Sequence, residues 1–123
     1  MSAMKKPVVL VAEDDANVRM TIEFVLQDEG FEVVLAEDGE EALRLAKKME
    51  PDVILLDQMM PKLDGHEVLT GLREHAGTRE IPVFVLSGMS RTKGDWPGAQ
   101  FVGKPFSPDD LVERIRKAIT PTT

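Results

Sequence analysis

The chain contains no cysteine. Disulfides, thiolate metal sites and cysteine nucleophiles are therefore excluded. It also lacks long hydrophobic runs: the longest aliphatic stretches have about five residues, against roughly 20 needed to span a membrane. Lys5 and Lys6 precede an apolar stretch, but Val8 to Ala12 is too short for a signal-peptide core and Glu13 ends it. A cytoplasmic address is the expectation. Positive charge is short as well, with 15 Lys and Arg against 22 Asp and Glu and a net charge of −7. That balance argues against nucleic-acid or anionic-membrane binding by this chain. There are no repeats, no low-complexity tracts, no P-loop and no G-x-G-x-x-G.

What is present suits one globular domain. The 123 residues fall where domains cluster, near about 100–150. Apolar residues are 42% and charged residues 30%, which is too apolar for a disordered chain. A core of about 7–119 is expected, with 1–6 and 120–123 as tails.

Short apolar runs recur along the chain. They are Val8–Ala12, Glu32–Ala36, Val53–Leu56, Val83–Leu86 and a weaker Phe101–Gly103. Most are continuous rather than alternating, the mark of strands buried on both faces of a parallel sheet. Between them lie amphipathic stretches, with apolar stripes at Val18/Ile22/Val25/Leu26, Ala42/Leu45/Ala46/Met49, Val68/Leu69/Leu72 and Leu111/Ile115/Ala118/Ile119. Val112 either helps to pack the last helix or stands exposed at a contact. Helix starts are marked by Asp38 with Glu41, Asp64 with Glu67, and Ser107-Pro108. The pattern is β-α five times, which predicts an α/β, doubly wound, flavodoxin-like five-stranded parallel sheet of order 2-1-3-4-5. Such sheets bind ligands at the carboxyl ends of their strands.

At those ends stand Glu13-Asp14-Asp15, Asp57, Ser87-Gly88 and Lys104-Pro105. Each has a bland reading, as a solvated turn, a helix cap or a loop; their convergence is the signal. Two carboxylates about 4 Å apart repel by about 4 kcal/mol at an effective dielectric near 20. Several ionised together call for a cation. Hard oxygen donors with open positions suit Mg²⁺, with Mn²⁺ as a substitute. Lys104 adds a positive charge, Ser87 a hydroxyl and Gly88 an approachable backbone N–H. The set describes a phosphoryl pocket with Asp57 as nucleophile.

These residues resemble a bacterial two-component receiver domain, the phosphoacceptor part of a response regulator, of the chemotaxis-regulator-like kind. The matching pieces are Val8-Val9-Leu10-Val11-Ala12-Glu13-Asp14-Asp15, Leu55 to Gly65, Ile81 to Gly88 and Lys104-Pro105-Phe106, in the family's order. The separations also match, 43 residues from Asp14 to Asp57 and 30 from Asp57 to Ser87. The resemblance implies that Asp57 accepts a phosphoryl group from a histidine kinase or histidine phosphotransfer protein. It implies that Asp14, Asp57 and the Met59 backbone carbonyl hold Mg²⁺, with Glu13 acting through a metal-bound water. Ser87 and Lys104 then engage the phosphoryl group, Phe101 is the aromatic that turns inward, and the Lys104-Pro105 bond is cis. The face formed by strand 4, the fourth helix and strand 5 shifts to signal an unknown downstream protein. The chemistry expected is self-phosphorylation and self-hydrolysis with Mg²⁺, without turnover of an external metabolite, in a monomer or weak dimer.

Three departures from the family pattern stand out. Ser87 to Lys104 spans 17 positions, too few for the usual helix between strands 4 and 5. Gly88, Gly94, Pro97 and Gly98 fall there, so the fourth helix is expected to be shortened or irregular. Phe101 replaces the commoner tyrosine and has no hydroxyl to bond the loop when it turns inward. Met59 and Met89 stand at positions that, by the resemblance, flank the path of a hydrolytic water, and two apolar chains there predict slow self-dephosphorylation.

Competing motifs fail on single residues. His66-Glu67 lacks the second zinc-binding histidine, since position 70 is Thr, and His66 and His75 read as surface residues. Ser87 lacks a nucleophile elbow because Val85 stands where a glycine is needed. A haloacid-dehalogenase-like phosphatase needs an acid at position 59, which is Met. The alternative left open is a pseudo-receiver, an interaction module working without phosphate.

Overall fold

Each apolar run becomes a strand. The computed structural model describes residues 6–88 and 96–119. Its elements are β1 (Val8–Ala12), α1 (Ala16–Asp28), β2 (Glu32–Ala36), α2 (Gly39–Met49), β3 (Val53–Asp57), α3 (Gly65–Glu74), β4 (Val83–Ser87), β5 (Ala99–Gly103) and α4 (Pro108–Ile119). All adjacent strands pair parallel, in the order β2-β1-β3-β4-β5. The flavodoxin-like order is thus the one expected. Residues 89–95, where the shortened fourth helix and Met89 were expected, lie outside the described residues.

The sheet is apolar on both faces because its side chains alternate between two cores. Val9, Val11, Val53, Leu55, Phe84 and Leu86 pack with Ile22 and Leu26 of α1 and Leu111 and Ile115 of α4. Leu10, Ala12, Ile54, Leu56, Val83 and Val85 pack with Ala42 and Ala46 of α2 and Val68, Leu69 and Leu72 of α3. Among the described residues, two helices thus cover each face. Val112 is buried in the first core rather than exposed. Met49, counted in the α2 stripe, is instead 43% exposed, at the helix end beside Glu50, whose backbone is in the left-handed region.

The helix starts follow their caps. Asp64 and Glu67 form a complete capping box, each backbone N–H donating to the other's carboxylate at 2.9 Å. Asp38 accepts from Glu41 N–H at 2.8 Å, but the Glu41 carboxylate reaches one residue further back, to the Glu37 N–H at 2.9 Å. Ser107 Oγ accepts from the Asp110 N–H at 3.3 Å and opens α4. The strand ends, with the loops that begin these helices, form one rim.

Candidate phosphoryl and metal site

Three carboxylates meet at that rim. One oxygen each from Glu13, Asp14 and Asp57 lies within 4.8 Å of the others. Glu13 follows β1 and Asp57 ends β3, the pair of strands on either side of the point where the sheet's winding reverses. Glu13 and Asp57 are buried, whereas Asp14 is exposed. The donor set fits a small hard cation, since carboxylates of mixed burial can hold it while leaving positions for water or phosphate oxygen.

Lys104 enters from the loop after β5. Its Nζ lies 3.1 Å from Glu13 Oε1 and 3.3 Å from Asp57 Oδ1. Its backbone N–H donates to the Ser87 carbonyl at 2.7 Å, fixing the loop to the end of β4. The Lys104-Pro105 bond is cis. Burial disfavours the ammonium, but the Glu13 hydrogen bond and the charges of Asp57 and Glu13 outweigh it and hold the Lys104 pKa above its ordinary value. Asp57 shifts up as well. Burial is the largest cause, and the neighbouring Glu13 carboxyl adds to it. Lys104 and the Met59 N–H, 3.4 Å from Asp57 Oδ1, offset only part.

The third member of the acidic run has a different job. Asp15 caps α1, its Oδ1 accepting from the Asn17 N–H at 2.9 Å and the Val18 N–H at 3.3 Å. Of the sequence's acidic triplet, two residues serve the cluster and one serves the helix. Arg19, on the next turn of α1, donates to the Glu13 carbonyl at 2.8 Å and secures the loop from below.

Ser87 is buried at the end of β4 and donates to Gln58 Oε1 at 2.6 Å. Gly88 beside it is exposed, with open space where a Cβ would stand. Met59, two residues after Asp57, is 69% exposed. Gly65 is required here. A Cβ at that position would come within 2.7 Å of the Asp57 carbonyl oxygen, so the start of α3 closes directly onto the strand that carries Asp57.

Phe101 points outward and is 39% exposed, so it is not a fixed core residue. Trp96 meets it edge-on, with ring centroids 5.2 Å apart, and Trp96 in turn meets His66 at 5.0 Å. His66 is therefore half-buried in an aromatic chain rather than a plain surface residue. Gln58, Arg19 and the Trp96 contacts were not found from the sequence. Only the identity of Gln58, a polar residue directly after the strand-end Asp57, offered a signal.

The comparisons with known proteins agree with this geometry. The family profile of the response regulator receiver domain matches residues 9–116. A probable transcriptional regulator ycf27 from Porphyridium aerugineum is 40% identical over 121 residues, covering 94% of this chain and 49% of its own. The chain thus spans about half the length of the curated relatives it matches. The Francisella response regulator 1452 receiver domain superposes with a TM-score of 0.84 at 35% identity, covering 93% of this chain and 97% of its own. The receiver domain of sensor histidine kinase PA1611 from Pseudomonas aeruginosa, solved with a magnesium ion coordinated in its active site cleft, gives 0.86 at 27% identity, covering 94% and 98%. No helix among the described residues is long and apolar enough to cross a membrane. With the β2-β1-β3-β4-β5 sheet, the carboxylate cluster at its switch point and the match over residues 9–116, the chain belongs to the response regulator receiver domain family, the phosphoacceptor switches of two-component signalling.

Proposed function

We propose that Asp57 takes a phosphoryl group from a histidine kinase or histidine phosphotransfer protein, within a receiver unit spanning about 7–119. The observation that carries this reading is the Lys104 ammonium held between buried Glu13 and Asp57 at 3.1 and 3.3 Å. It places a cation where negative charge must collect during transfer. Asp57 attacks phosphorus through a carboxylate oxygen. The donor's phosphorus–nitrogen bond breaks, and its electron pair stays on the imidazole, which leaves as a neutral ring protonated at its other nitrogen. Asp14, Asp57 and the Met59 carbonyl would hold Mg²⁺, with Glu13 acting through water. When bound, the ion neutralises charge on the phosphoryl oxygens. Lys104 pairs with the new phosphoryl group, Ser87 and the Gly88 N–H bond its oxygens, and Phe101 leaves Trp96 to turn inward. The shift passes through β4 and β5 to a downstream partner, and the ycf27 relatives point to transcription as the process. The same pocket supports self-phosphorylation from a small donor and self-hydrolysis. Nothing in the geometry favours a phosphate-independent module.

Incubation with acetyl phosphate and Mg²⁺, then borohydride reduction and peptide mapping, tests the assignment. Homoserine at position 57 is the expected product, and reduction at another carboxylate would overturn it. The exposed Met59 offers a hydrolytic water no polar orienter, so the phosphorylated form is expected to be long-lived. Met59→Asn should shorten its lifetime by about tenfold, below the range of full general acid–base help. An unchanged lifetime would remove Met59 from that role.

A further inference from the structure

The position after the phosphoacceptor holds a side chain with an unassigned part in the switch. Gln58 has both backbone polar groups engaged: its N–H donates to the Leu86 carbonyl at 3.0 Å, and its carbonyl accepts from the Gly65 N–H at 2.9 Å. Its side chain therefore leaves a fixed point between β4 and α3. From there Gln58 Oε1 accepts the Ser87 hydroxyl at 2.6 Å, at the short end of O–H···O bonds. Ser87 is equally fixed, since it ends β4 and its carbonyl is bonded by Lys104. The hydroxyl rotor is the part of Ser87 that can exchange this partner for another.

A serine hydroxyl has one proton to donate. While Gln58 accepts it, a phosphoryl oxygen on Asp57 cannot. We propose that Gln58 is a positioning residue of the switch: its side-chain carbonyl holds the Ser87 hydroxyl in the unphosphorylated protein, and a phosphoryl group on Asp57 must win that proton from it. The exchange is close to balanced. Gln58 is half-buried, so its freed carbonyl meets water, and the net loss is that of one ordinary hydrogen bond. Gln58 thereby sets how readily Ser87 joins the phosphorylated arrangement. The inference rests on the phosphoacceptor reading of Asp57, and its test separates the two.

Beryllofluoride, a phosphoryl mimic, is titrated with Mg²⁺ into the wild type, Gln58→Met, Ser87→Ala and the double variant, and binding is read from its ¹⁹F resonances. Gln58→Met keeps the length of the side chain but removes the carbonyl. It should bind about threefold to tenfold more tightly than wild type, the range set by one net hydrogen bond. In the Ser87→Ala background the same change should have no effect, because there is no proton to hold. Equal or weaker binding by Gln58→Met overturns the proposal, as does the same gain with Ser87 absent. A Gln58 that only braced the fold would weaken binding in both backgrounds. If the wild type binds but the two residues do not couple, the role of Gln58 fails and the phosphoacceptor reading stands. A wild type that binds no beryllofluoride overturns both.

Discussion

Replacing Lys104 with methionine removes a positive charge that sits between two buried carboxylates. Each contact, at 3.1 and 3.3 Å, corresponds to a gross attraction of about 5 kcal/mol at an effective dielectric near 20. Desolvation cancels much of this, yet taking away one partner of a buried pair still costs roughly 3–5 kcal/mol, because the other charge is left uncompensated. The Lys104 side chain is 27% exposed, so water reaches the gap and the expected loss is smaller, about 2 kcal/mol. For a domain of this size that is a fall in Tm of about 8 °C.

The loss has a signature that distinguishes it from lost packing of the lysine stem. The Asp57 pKa is already raised in the folded protein, chiefly by burial and then by Glu13. A carboxyl with a raised folded pKa costs no stability below its unfolded pKa, and the cost grows as pH rises from there and is complete above the folded value. Without Lys104 the value moves higher still, so the variant's deficit should be full where Asp57 is ionised and shrink as the pH is lowered through the raised value. Mg²⁺ should shrink it too, since a cation among Glu13, Asp14 and Asp57 replaces the missing charge and stabilises by mass action. The assay is thermal melting of wild type and Lys104→Met in chelator and in Mg²⁺, across a series of pH values. A deficit unchanged by Mg²⁺ and pH, or no deficit at all, would refute the electrostatic account.

Other residues give sharper separations. Asp15→Ala should lower stability by about 1 kcal/mol through the lost cap of α1 while leaving Mg²⁺ affinity nearly unchanged, and Asp14→Ala should do the reverse; melting curves and a Mg²⁺ titration on each decide between cap and ligand. In Gly65→Ala the added Cβ would stand 2.7 Å from the Asp57 carbonyl oxygen. The start of α3 must then move off β3, with a stability loss of about 1–3 kcal/mol and weaker Mg²⁺ binding; wild-type behaviour in both would show that the contact has room to relax.

The strands with two covered faces were legible because continuous β-branched and aliphatic runs have little other use in a chain this short. β5 was legible only in part. It begins at Ala99, but at this edge of the sheet Gln100 and Phe101 face solvent, so burial leaves no apolar run to mark its start. In the site, Glu13, Asp14, Asp57, Ser87 and Lys104 could be found because each ends a strand or lies within two residues of its end. Only the resemblance set Asp15 apart from them, since a ligand carboxylate and a capping carboxylate look alike after a strand. Arg19 escaped notice because its partners are backbone carbonyls. The contact chain from His66 to Trp96 and Phe101 crosses 30 residues of sequence between its first two members, and no local pattern marks such a meeting.

The central claim is that Asp57 is the phosphoacceptor of a metal-dependent switch. Intact mass after incubation with acetyl phosphate, with and without Mg²⁺ and beside an Asp57→Asn control, tests it most directly. The account predicts a gain of a single phosphoryl group that requires Mg²⁺ and is absent from the control. An equal gain in the Asp57→Asn protein, or one indifferent to Mg²⁺, would contradict it.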